Sequence, residues 1–562
     1  MFFKKQSPQR AVFFLFLVFL GGFFILVQPG KAAEAGKQAA VGTKGIISSA
    51  HPLATQAGLK VLEEGGNAFD AAVTVAAVLN VVEPMNSGMG GYGTILIYAA
   101  EEKRTRFLDS SGKIPAAVNS DVFRPSYPHY IKNRTGAKAV STPGNVNAWW
   151  ALSEKYGKLP WAVLFERASE LAEAGFRVSR ELSMTIKRAF PVFNEYGRSI
   201  YGKNGHPLEH GDILIQKDLA FSLRKLAEMG PKVFYAGSLG EAVDKAMKKY
   251  GGFLSLTDLN ADRAEWWDPI RISFQGYDVV TASPPSTAFP SLIRLGLMSR
   301  FDGRALGHNS ADYLHFFIEA TKHAFWCRLA YAGDPEVKPP PLEKLLSENY
   351  WSETVKKFNK NKALTFFPPG IGSGDHKHTT HFVTADRWGN IVSATQTLGN
   401  SFGCRIMVEG TGIWLNNSLS YCTFEPKGNP MDAFPGRRKL SGDCPTIIFK
   451  DGKPWAALGT PGGHTIGQTV PQMVMNLITF GMDIQEALSA PRVSFVEPDL
   501  IFVEYGIPNE VIEELKKRGH KIRRTRGLTN AHGLTIVYDD NGKPAAFKGA
   551  ADPRGGGLAA GF

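Results

Sequence analysis

The spacing of apolar and polar residues predicts a chain that mixes helices and strands. The segment from Ala54 to Gly66 has apolar residues at helical spacing and ends in two glycines, as helices often do. Asn67 is placed to cap a second helix over Asp70–Val82, which is apolar nearly all round. A helix with no polar face must be buried on more than one side, as between a sheet and further helices.

Further along, residues 150–260 and 311–360 are predicted to be mostly helical. The Gly-, Pro- and polar-rich segment 367–378 predicts an exposed loop and the clearest internal boundary. After it, alternation predicts two strands around a turn at Asp386–Asn390, and then a strand-rich region to about Trp455. Helices packed on sheets favour a layered α+β or α/β fold.

The composition is that of a folded protein. Of 562 residues, 43% are apolar and 21% are charged, which excludes disorder of the whole chain. The net charge is +12, but the basic residues are scattered and no zinc-ligand spacing or RNA-binding signature accompanies them, so nucleic acid is not an expected partner. His376 and His378 are interpreted as solvated loop residues, and neither a metal nor a cofactor is predicted.

The N-terminus has the pattern of a secretory signal. Basic residues precede the apolar run Ala11–Val27, and small residues follow it up to Ala35. We therefore expect residues 1–35 to direct export to the periplasm or the extracellular space. The alternative is an uncleaved membrane anchor formed by residues 11–27, because that run is just long enough to span a bilayer. No other membrane contact is expected.

Thr379 is the first candidate for chemistry. If the chain breaks between His378 and Thr379, Thr379 gains a free α-amine beside its own hydroxyl. An α-amine titrates near about 8 and can take the hydroxyl proton at neutral pH. One residue then supplies both nucleophile and base. Thr397, at the end of the second predicted strand, is expected to reach across the hairpin and hold that hydroxyl.

Two further segments are candidate parts of the same site. Gly462 and Gly463 precede a predicted helix, where free N–H groups without a neighbouring Cβ can hold an oxyanion. Taken alone, such a pair is more often only a tight turn. Ser441 is a candidate polar residue of the substrate pocket. Among the four cysteines, Cys404 or Cys444 as nucleophile is a third possibility, and one pair among Cys404, Cys422 and Cys444 is close enough in sequence to be bridged.

These features occur together with several longer motifs. They are ATQAGLKVLEEGGNAFDAAV, MNSGMGGYG, STPGNV, GDILIQKDLA, YAGDP, TTHFVTADRWGNIVSATQT, GIWLNN, LGTPGGHTIGQT and ADPRGGGLAAGF. With them, the chain resembles the γ-glutamyltransferase (glutathione hydrolase) family of N-terminal nucleophile hydrolases from about Gly45 to Phe562.

The resemblance implies a precursor that cuts itself after His378. Residues 36–378 would form a large subunit and residues 379–562 a small catalytic one, paired in a four-layer αββα sandwich of the α+β class. It implies Thr379 as nucleophile, Thr397 as the second threonine of the motif, and Pro461-Gly462-Gly463 as the oxyanion turn. The implied activity is cleavage of γ-glutamyl amides such as glutathione through an acyl-threonine, followed by hydrolysis or transfer to an amine. The expected partners are a small amide or peptide substrate and the two subunits themselves.

The chain departs from the family pattern where the glutamate head should bind. Ser111 stands where an arginine is expected, and Tyr421 where an acidic residue is expected. Gly399 replaces a polar residue, and Gly442 replaces the second serine of a pair that begins at Ser441. Burying a zwitterion without its counter-charges costs a few kcal/mol per charge, on the order of 3.

Three readings of these departures remain open. In the first, the chain is an amidase of the same fold with a changed acyl specificity. In the second, Lys113, Arg405 or Arg438 supplies the missing charge. The third reading is a non-catalytic exported relative.

Overall fold

Two seven-stranded antiparallel sheets form the centre of the fold in the computed structural model. The structure describes residues 38–124, 134–365, 378–496 and 499–562. The strands are β1 Ala40–Gly42, β2 Gly45–Ser49, β3 Tyr92–Ala99, β4 Arg104–Ser110, β5 Phe176–Arg177, β6 Gly202–Lys203, β7 His206–Pro207, β8 Ile213–Leu214, β9 Glu265–Trp267, β10 Ile270–Phe274, β11 Tyr277–Thr281, β12 His378–Asp386, β13 Ile391–Gly399, β14 Met407–Val408, β15 Ile413–Trp414, β16 Thr446–Lys450, β17 Lys453–Gly459, β18 Val493–Val496, β19 Leu500–Glu504, β20 Ile522–Thr525, β21 His532–Tyr538, β22 Pro544–Ala551 and β23 Leu558–Gly561.

The strand order is β1-β22-β21-β17-β16-β11-β10 in the first sheet and β23-β2-β12-β13-β3-β4-β9 in the second. Apolar side chains from both sheets meet in one buried cluster, to which Ile46, Leu96, Val383, Ile447 and Leu534 belong. The sheets therefore pack face to face. In each sheet, strands from the C-terminal third of the chain pair with strands from the N-terminal half.

Helices cover the outer faces. The α-helices are α1 Pro52–Glu63, α2 Ala68–Val82, α3 Asn145–Tyr156, α4 Glu166–Ala174, α5 Arg180–Ala189, α6 Glu195–Tyr201, α7 Lys217–Met229, α8 Lys232–Tyr235, α9 Ser238–Tyr250, α10 Leu256–Ala261, α11 Phe289–Met298, α12 Gly303–Leu306, α13 Ala311–Tyr331, α14 Leu342–Leu345, α15 Glu348–Val355, α16 Ile466–Ile478, α17 Ile484–Ser489 and α18 Asn509–Lys517. Helices up to α10 share a core with the second sheet, and α11, α13, α16 and α17 share one with the first. The α+β class is confirmed.

Helix α2 shows how the sequence fixes one of these layers. Asn67 caps its start and, with Asp70, forms a reciprocal capping box. All 15 residues of α2 are buried, and the helix packs on β12 and β13. The prediction of a helix without a polar face, enclosed on more than one side, is confirmed.

The prediction of a strand-rich chain up to Trp455 is wrong for most of residues 400–445. That region holds only the short strands β14 and β15 and a 3₁₀ turn at Ser418–Tyr421. The physical reason is a series of glycines with positive φ, among them Gly403, Gly410 and Gly428, which interrupt any extended run.

Several predictions concern segments that the structure leaves undescribed or describes differently. The predicted signal segment, residues 1–35, lies outside the described residues, as does most of the predicted loop, residues 366–377. Within the described ranges, no helix combines the length and apolarity needed to cross a bilayer. His378, predicted as the end of the loop, is the first residue of β12. All four cysteines are buried and free, so the possible bridge is not formed.

Candidate active site

Thr379 lies at the start of β12, at a point where β12 is not yet paired with its neighbour β2. The register between β12 and β13 pairs His378 with Gly399 and Thr379 with Thr397, so the ladder shifts between His378 and Thr379. On its other side, β12 pairs with β2 only from Phe382 onward. Thr379 is therefore held by β13 on one side and faces a gap in the sheet on the other.

Three hydrogen bonds meet at the Thr397 hydroxyl. Thr379 Oγ1 donates to Thr397 Oγ1 at 3.2 Å, and the Gly399 N–H donates to the same oxygen at 2.8 Å. Thr397 in turn donates its own proton to the carbonyl oxygen of His378 at 2.8 Å. One side chain thus contacts the hydroxyl of Thr379 and also polarises the peptide carbonyl that precedes Thr379.

The gap beside Thr379 is a cavity of about 250 Å³. Its lining residues are Ala50, Glu83, Asn86, Glu181, His378, Thr379, Pro461, Gly462, Gly527, Leu528, Thr529, Asn530, Arg554 and Gly555. The Pro-Gly-Gly turn therefore borders the same space as the peptide between His378 and Thr379.

The turn itself requires glycine. Gly462 has φ +129°, and a Cβ there would lie 2.3 Å from Thr465 Oγ1. Gly463 has φ +57° and begins a helical turn that continues into α16. The first N–H groups of a helical turn have no intrahelical acceptor. They are suited to bind a developing negative charge on an oxygen in the cavity.

The opposite face of β12 carries a second polar group. Thr380 points away from Thr379 and donates its hydroxyl to Glu83 at 2.9 Å. Burial, together with the smaller effect of the nearby Glu181 charge, raises the pKa of the Glu83 carboxyl to about 7. Glu83 and Asn86 border the cavity, and the sequence interpretation did not select either residue.

The sequence profile described as Gamma-glutamyltranspeptidase matches residues 54–562. This chain belongs to the γ-glutamyltranspeptidase family. It is 33% identical to a glutathione hydrolase proenzyme of Bacillus subtilis (strain 168), over 95% of this chain and 94% of the relative. It is 35% identical to the acylase ACY 1 proenzyme of Pseudomonas sp. (strain V22), over 87% and 89%. The crystal structure of a cephalosporin acylase from Bacillus halodurans superposes with a TM-score of 0.86 at 29% identity, over 96% and 99% of the two chains.

Two of the four positions that depart from the family pattern are packed against neighbouring side chains. Gly399 has φ +98°, and a Cβ there would lie 2.2 Å from Asn417 Oδ1. Tyr421 is buried, and its hydroxyl is hydrogen-bonded to that of Tyr92. The position expected to hold an acidic residue for an ammonium group is therefore filled by a pair of phenols.

The other two departures differ from each other. Ser111 is fully buried and donates its hydroxyl to Asp109 at 3.0 Å, so it is part of the packed interior. Gly442 is half-buried, and a Cβ there would have Gly463 O as its nearest neighbour, at 3.7 Å. Space therefore opens at Gly442, next to the Pro-Gly-Gly turn.

Ser441 faces inward rather than into that space. Its hydroxyl donates to Asp443 at 2.8 Å and lies 3.1 Å from the Thr94 hydroxyl. Burial raises the pKa of Asp443 to about 6. Ser441 therefore holds the loop in place against β3.

Of the cations proposed as substitutes, Arg438 is already paired. It bonds Asp109 at 3.2 Å and contacts Glu265 and the ring of Trp267. The Lys113 ammonium is 3.9 Å from Glu265 and partly solvated.

The third proposed substitute, Arg405, lies elsewhere, with its carbonyl accepting from the Asn194 N–H before α6. Of the three, Arg438 shares Asp109 with Ser111, the residue that stands where the arginine is expected.

Sequence interpretation missed Lys439, the residue after Arg438. Its side chain is 1% exposed, and its ammonium lies 3.2 Å from the centre of the Tyr92 ring. Among the described residues, its Nζ has no hydrogen-bond partner. Burial lowers the pKa of Lys439 to about 7. A lysine two residues before Ser441 was the available signal, but its burial depends on how the loop folds.

One buried group has the composition of a metal site. Ligand-type atoms of His315, Glu319 and His520 lie within 4.8 Å of one another. The Lys322 ammonium, 3.3 Å from Glu319, already supplies a positive charge there. The two imidazoles are hydrogen-bonded to each other at 2.8 Å, too close for both to ligate one ion without moving.

The two glycine departures give contrasting expected results. Gly442→Ser is expected to fold and to process as the parent does, because the new Cβ has room. Gly399→Asn is expected to lower the thermal midpoint by several degrees and to slow processing, because it forces a positive φ and a clash with Asn417. Thermal unfolding and a denaturing gel measure both effects. Normal stability of Gly399→Asn would contradict this account of the pocket wall.

Proposed function

We propose that this chain is a self-processing enzyme that cleaves γ-glutamyl amides such as glutathione. Thr379 would act twice, first on the peptide bond before it and then on substrate amides. The observation that carries the proposal is the Thr397 hydroxyl, which contacts both Thr379 Oγ1 and the His378 carbonyl oxygen. The relatives from Bacillus subtilis and Pseudomonas are both named proenzymes, which supports a precursor that is processed.

The first step is an acyl shift from nitrogen to oxygen. Thr379 Oγ1 attacks the His378 carbonyl carbon, and the electron pair of the C=O bond moves onto oxygen, where Thr397 donates a hydrogen bond. The C–N bond then breaks, and the nitrogen takes the hydroxyl proton and becomes the α-amine of Thr379. Water hydrolyses the resulting ester, which leaves a carboxylate on His378 and a free hydroxyl on Thr379.

The mature enzyme uses the new amine as base. The α-amine takes the Thr379 hydroxyl proton while Oγ1 attacks the amide carbonyl of the substrate. The N–H groups of Gly462, which lines the cavity, and of the following Gly463 would bind the oxyanion. The leaving amine takes the proton, and an acyl-threonine ester remains. Water or an acceptor amine then resolves the ester and restores Thr379.

The strand order supports two subunits that stay together after the cut. We assign residues 36–378 to a large subunit and residues 379–562 to a small one. In the second sheet, β12 and β13 would then lie between β2 and β3 of the large subunit. With helices on both outer faces, the arrangement proposed is a four-layer αββα sandwich. We further assign residues 1–35 to a signal peptide that directs export.

The test starts from the purified exported chain. A denaturing gel is expected to show two bands near one-third and two-thirds of the mature mass, and mass spectrometry is expected to find Thr379 at the N-terminus of the smaller. The processed enzyme is expected to release p-nitroaniline from γ-glutamyl-p-nitroanilide. A single band with no reaction toward a threonine-directed electrophile would instead indicate a non-catalytic relative.

A second candidate function is an amidase of the same mechanism with a non-glutamyl acyl group. The burial of Tyr421 against Tyr92, where a glutamyl ammonium would need an acid, favours it. Normal self-cleavage combined with weak turnover of γ-glutamyl-p-nitroanilide is the result that would select this candidate over the first.

A further inference from the structure

We infer that Glu83 and Glu181 are the counter-charges of the α-ammonium group that self-cleavage creates on Thr379. In this role they are positioning residues, which stabilise the protonated amine and so set the pH at which it becomes free to act as a base. The inference rests on the proposed function, because the amine exists only after the cut. It gives a role to two carboxyl groups that the proposed mechanism does not use.

The first step of the argument is the position of the new amine. β12 pairs with β2 only from Phe382 onward, and the cavity of about 250 Å³ lies in the gap beside Thr379. Glu83 and Glu181 line the same cavity. Main-chain nitrogens lie within the plane of a sheet, whereas side chains project from its two faces. The nitrogen of Thr379 therefore borders the gap, although its hydroxyl and Glu83 belong to opposite faces of β12.

The second step is the charge around Glu83. Helix α2 ends at Glu83, whose N–H donates to the carbonyl of Leu79. The C-terminus of a helix carries a partial negative charge, which favours a cation there and disfavours a carboxylate. The last turn of α2 contains no basic residue. The charge of Glu181, on α5, adds to this, so one end of the cavity is negative.

The third step is the absence of a cation for these two carboxyls within the described part of the chain. Glu83 is 5% exposed, and it accepts from the Thr380 hydroxyl at 2.9 Å and from the side chain of Asn86, both of which are neutral. Neither Glu83 nor Glu181 forms an ion pair with any residue that the structure describes. Burial without an opposite charge raises the pKa of a carboxyl, and a cation beside it would restore the ionised form.

Arg554 also lines the cavity, but its charge is already compensated. Its guanidinium donates to Glu504 at 2.8 Å and to Asp552 at 2.9 Å. It also donates to the carbonyl oxygens of Leu488 and Ala490. With these acceptors in place, Arg554 does not neutralise the acidic end of the cavity.

Self-cleavage supplies the missing cation. Before the cut, the nitrogen of Thr379 is an uncharged amide. Afterwards it is an amine, which in an unperturbed chain end titrates near about 8. Nearby carboxylates favour its charged form, so the pKa of the amine rises and that of Glu83 falls in return. His378, the other titratable residue of the described lining, becomes a chain end with its own carboxylate at the same moment.

The experiment measures the titration of the Thr379 amine in the processed full-length enzyme. Phenyl isothiocyanate reacts with neutral amines, and mass spectrometry of the N-terminal peptide of the small subunit reports the rate at Thr379. The midpoint of this rate is expected to lie about one pH unit above that of a synthetic peptide with the sequence of residues 379–386, because carboxylates stabilise the ammonium. A midpoint equal to or below that of the peptide would overturn the inference.

Glu83→Gln tests the principal counter-charge. Glutamine removes the charge and keeps the size of the side chain and an acceptor oxygen for Thr380. The variant is expected to cut itself, because the Thr379 nitrogen carries no charge in the precursor. Its Thr379 midpoint is expected to fall by about one pH unit. An unchanged midpoint would overturn the inference, and if this variant fails to fold, the comparison of the parent with the peptide decides alone.

Two further variants separate a local effect from a general change of charge. Glu181→Gln is expected to lower the midpoint by less than Glu83→Gln, because Glu181 is exposed and its charge is screened. Glu64→Gln is the matched control, since Glu64 ends the neighbouring helix α1 and is paired with Lys60 at 3.6 Å. It is expected to leave the midpoint unchanged. Equal shifts in Glu64→Gln and Glu83→Gln would contradict the assignment.

The pH profile of kcat/KM for γ-glutamyl-p-nitroanilide gives the same test through catalysis. Only the neutral amine acts as a base, so the acidic limb of the profile is expected to move to lower pH by about one unit in Glu83→Gln. Ionisation of the substrate is common to both enzymes and cancels in the comparison. A fall in kcat/KM at every pH, with the limb unmoved, would indicate a structural role only and overturn the inference.

Failure of the inference is distinguishable from failure of the proposed function. A chain that stays in one piece would refute the proposed function, because no amine forms at Thr379. A chain that cuts itself and cleaves the anilide, but whose amine titrates as the peptide does, would refute the inference alone.

Discussion

Replacement of Thr379 by alanine is expected to leave the chain as one polypeptide and to abolish amide turnover. The substitution removes the only oxygen that can attack the His378 carbonyl in the proposed route, and it also removes the nucleophile of the mature enzyme. Loss of a catalytic nucleophile typically costs about 10⁴- to 10⁶-fold in kcat. A denaturing gel after prolonged incubation and an anilide assay at high enzyme concentration measure the two effects.

Two controls separate chemistry from folding. Thr379→Ser keeps a hydroxyl at the same place and is expected to cut, at a changed rate. Thr380→Val changes the adjacent residue, whose hydroxyl donates to Glu83 and not to the His378 carbonyl, and it is expected to keep the cut at the same bond. Cleavage at the same bond in Thr379→Ala, or activity in that uncut chain, would contradict the proposed mechanism. Activity of that kind would instead favour a cysteine nucleophile, although Cys404 and Cys444 are both buried and burial raises the pKa of each thiol.

The local parts of the site could be read from the sequence, because they depend on short-range patterns. The strands β12 and β13 follow from alternation around a turn, where Asp386 accepts from the backbone N–H groups of Trp388 and Asn390. The burial of α2 follows from its uniform apolarity. Both patterns are complete within about twenty residues, so no distant contact was needed to recognise them.

The pocket wall could not be predicted in the same way. That Gly399 excludes a side chain depends on Asn417, which a series of irregular turns brings back against the end of β13. That Lys439 is buried depends on its packing against Tyr92, from a strand more than three hundred residues earlier. Contacts of this kind depend on how the backbone of residues 400–445 folds. Glycines with positive φ make this backbone irregular, so its sequence shows no repeating pattern from which the fold could be predicted.

The same limit explains why the sequence alone could not choose among the substitute cations. Lys113, Arg405 and Arg438 all lie near candidate motifs along the chain. In the fold, Arg438 is held by Asp109 and Glu265, and its neighbour Lys439 turns to the other side. In an extended segment, adjacent residues point to opposite faces. A one-residue difference therefore decides which cation forms an ion pair and which is buried on the ring of Tyr92.

Thr397→Val is expected to slow self-cleavage by about 10²- to 10³-fold, the usual effect of removing one oxyanion donor. Valine keeps the volume and branching of threonine, so packing at the end of β13 is largely retained. What is lost is the hydroxyl that donates to the His378 carbonyl and accepts from Thr379 Oγ1 and the Gly399 N–H. The rate of appearance of the two bands, followed from freshly refolded or newly synthesised precursor, measures the effect.

The loss of an acceptor for the Gly399 N–H also affects stability, by about 1–3 kcal/mol. Thermal unfolding of the uncut Thr397→Val chain therefore has to accompany the rate measurement, at a temperature where both chains are folded. Thr397→Ser is the matched control, because it keeps the hydroxyl and is expected to restore most of the rate. If Thr397→Val cuts as fast as the parent while folded, the His378 carbonyl is activated by another group. The N–H groups of Gly462, which lines the cavity, and of Gly463 would then be the donors to test next.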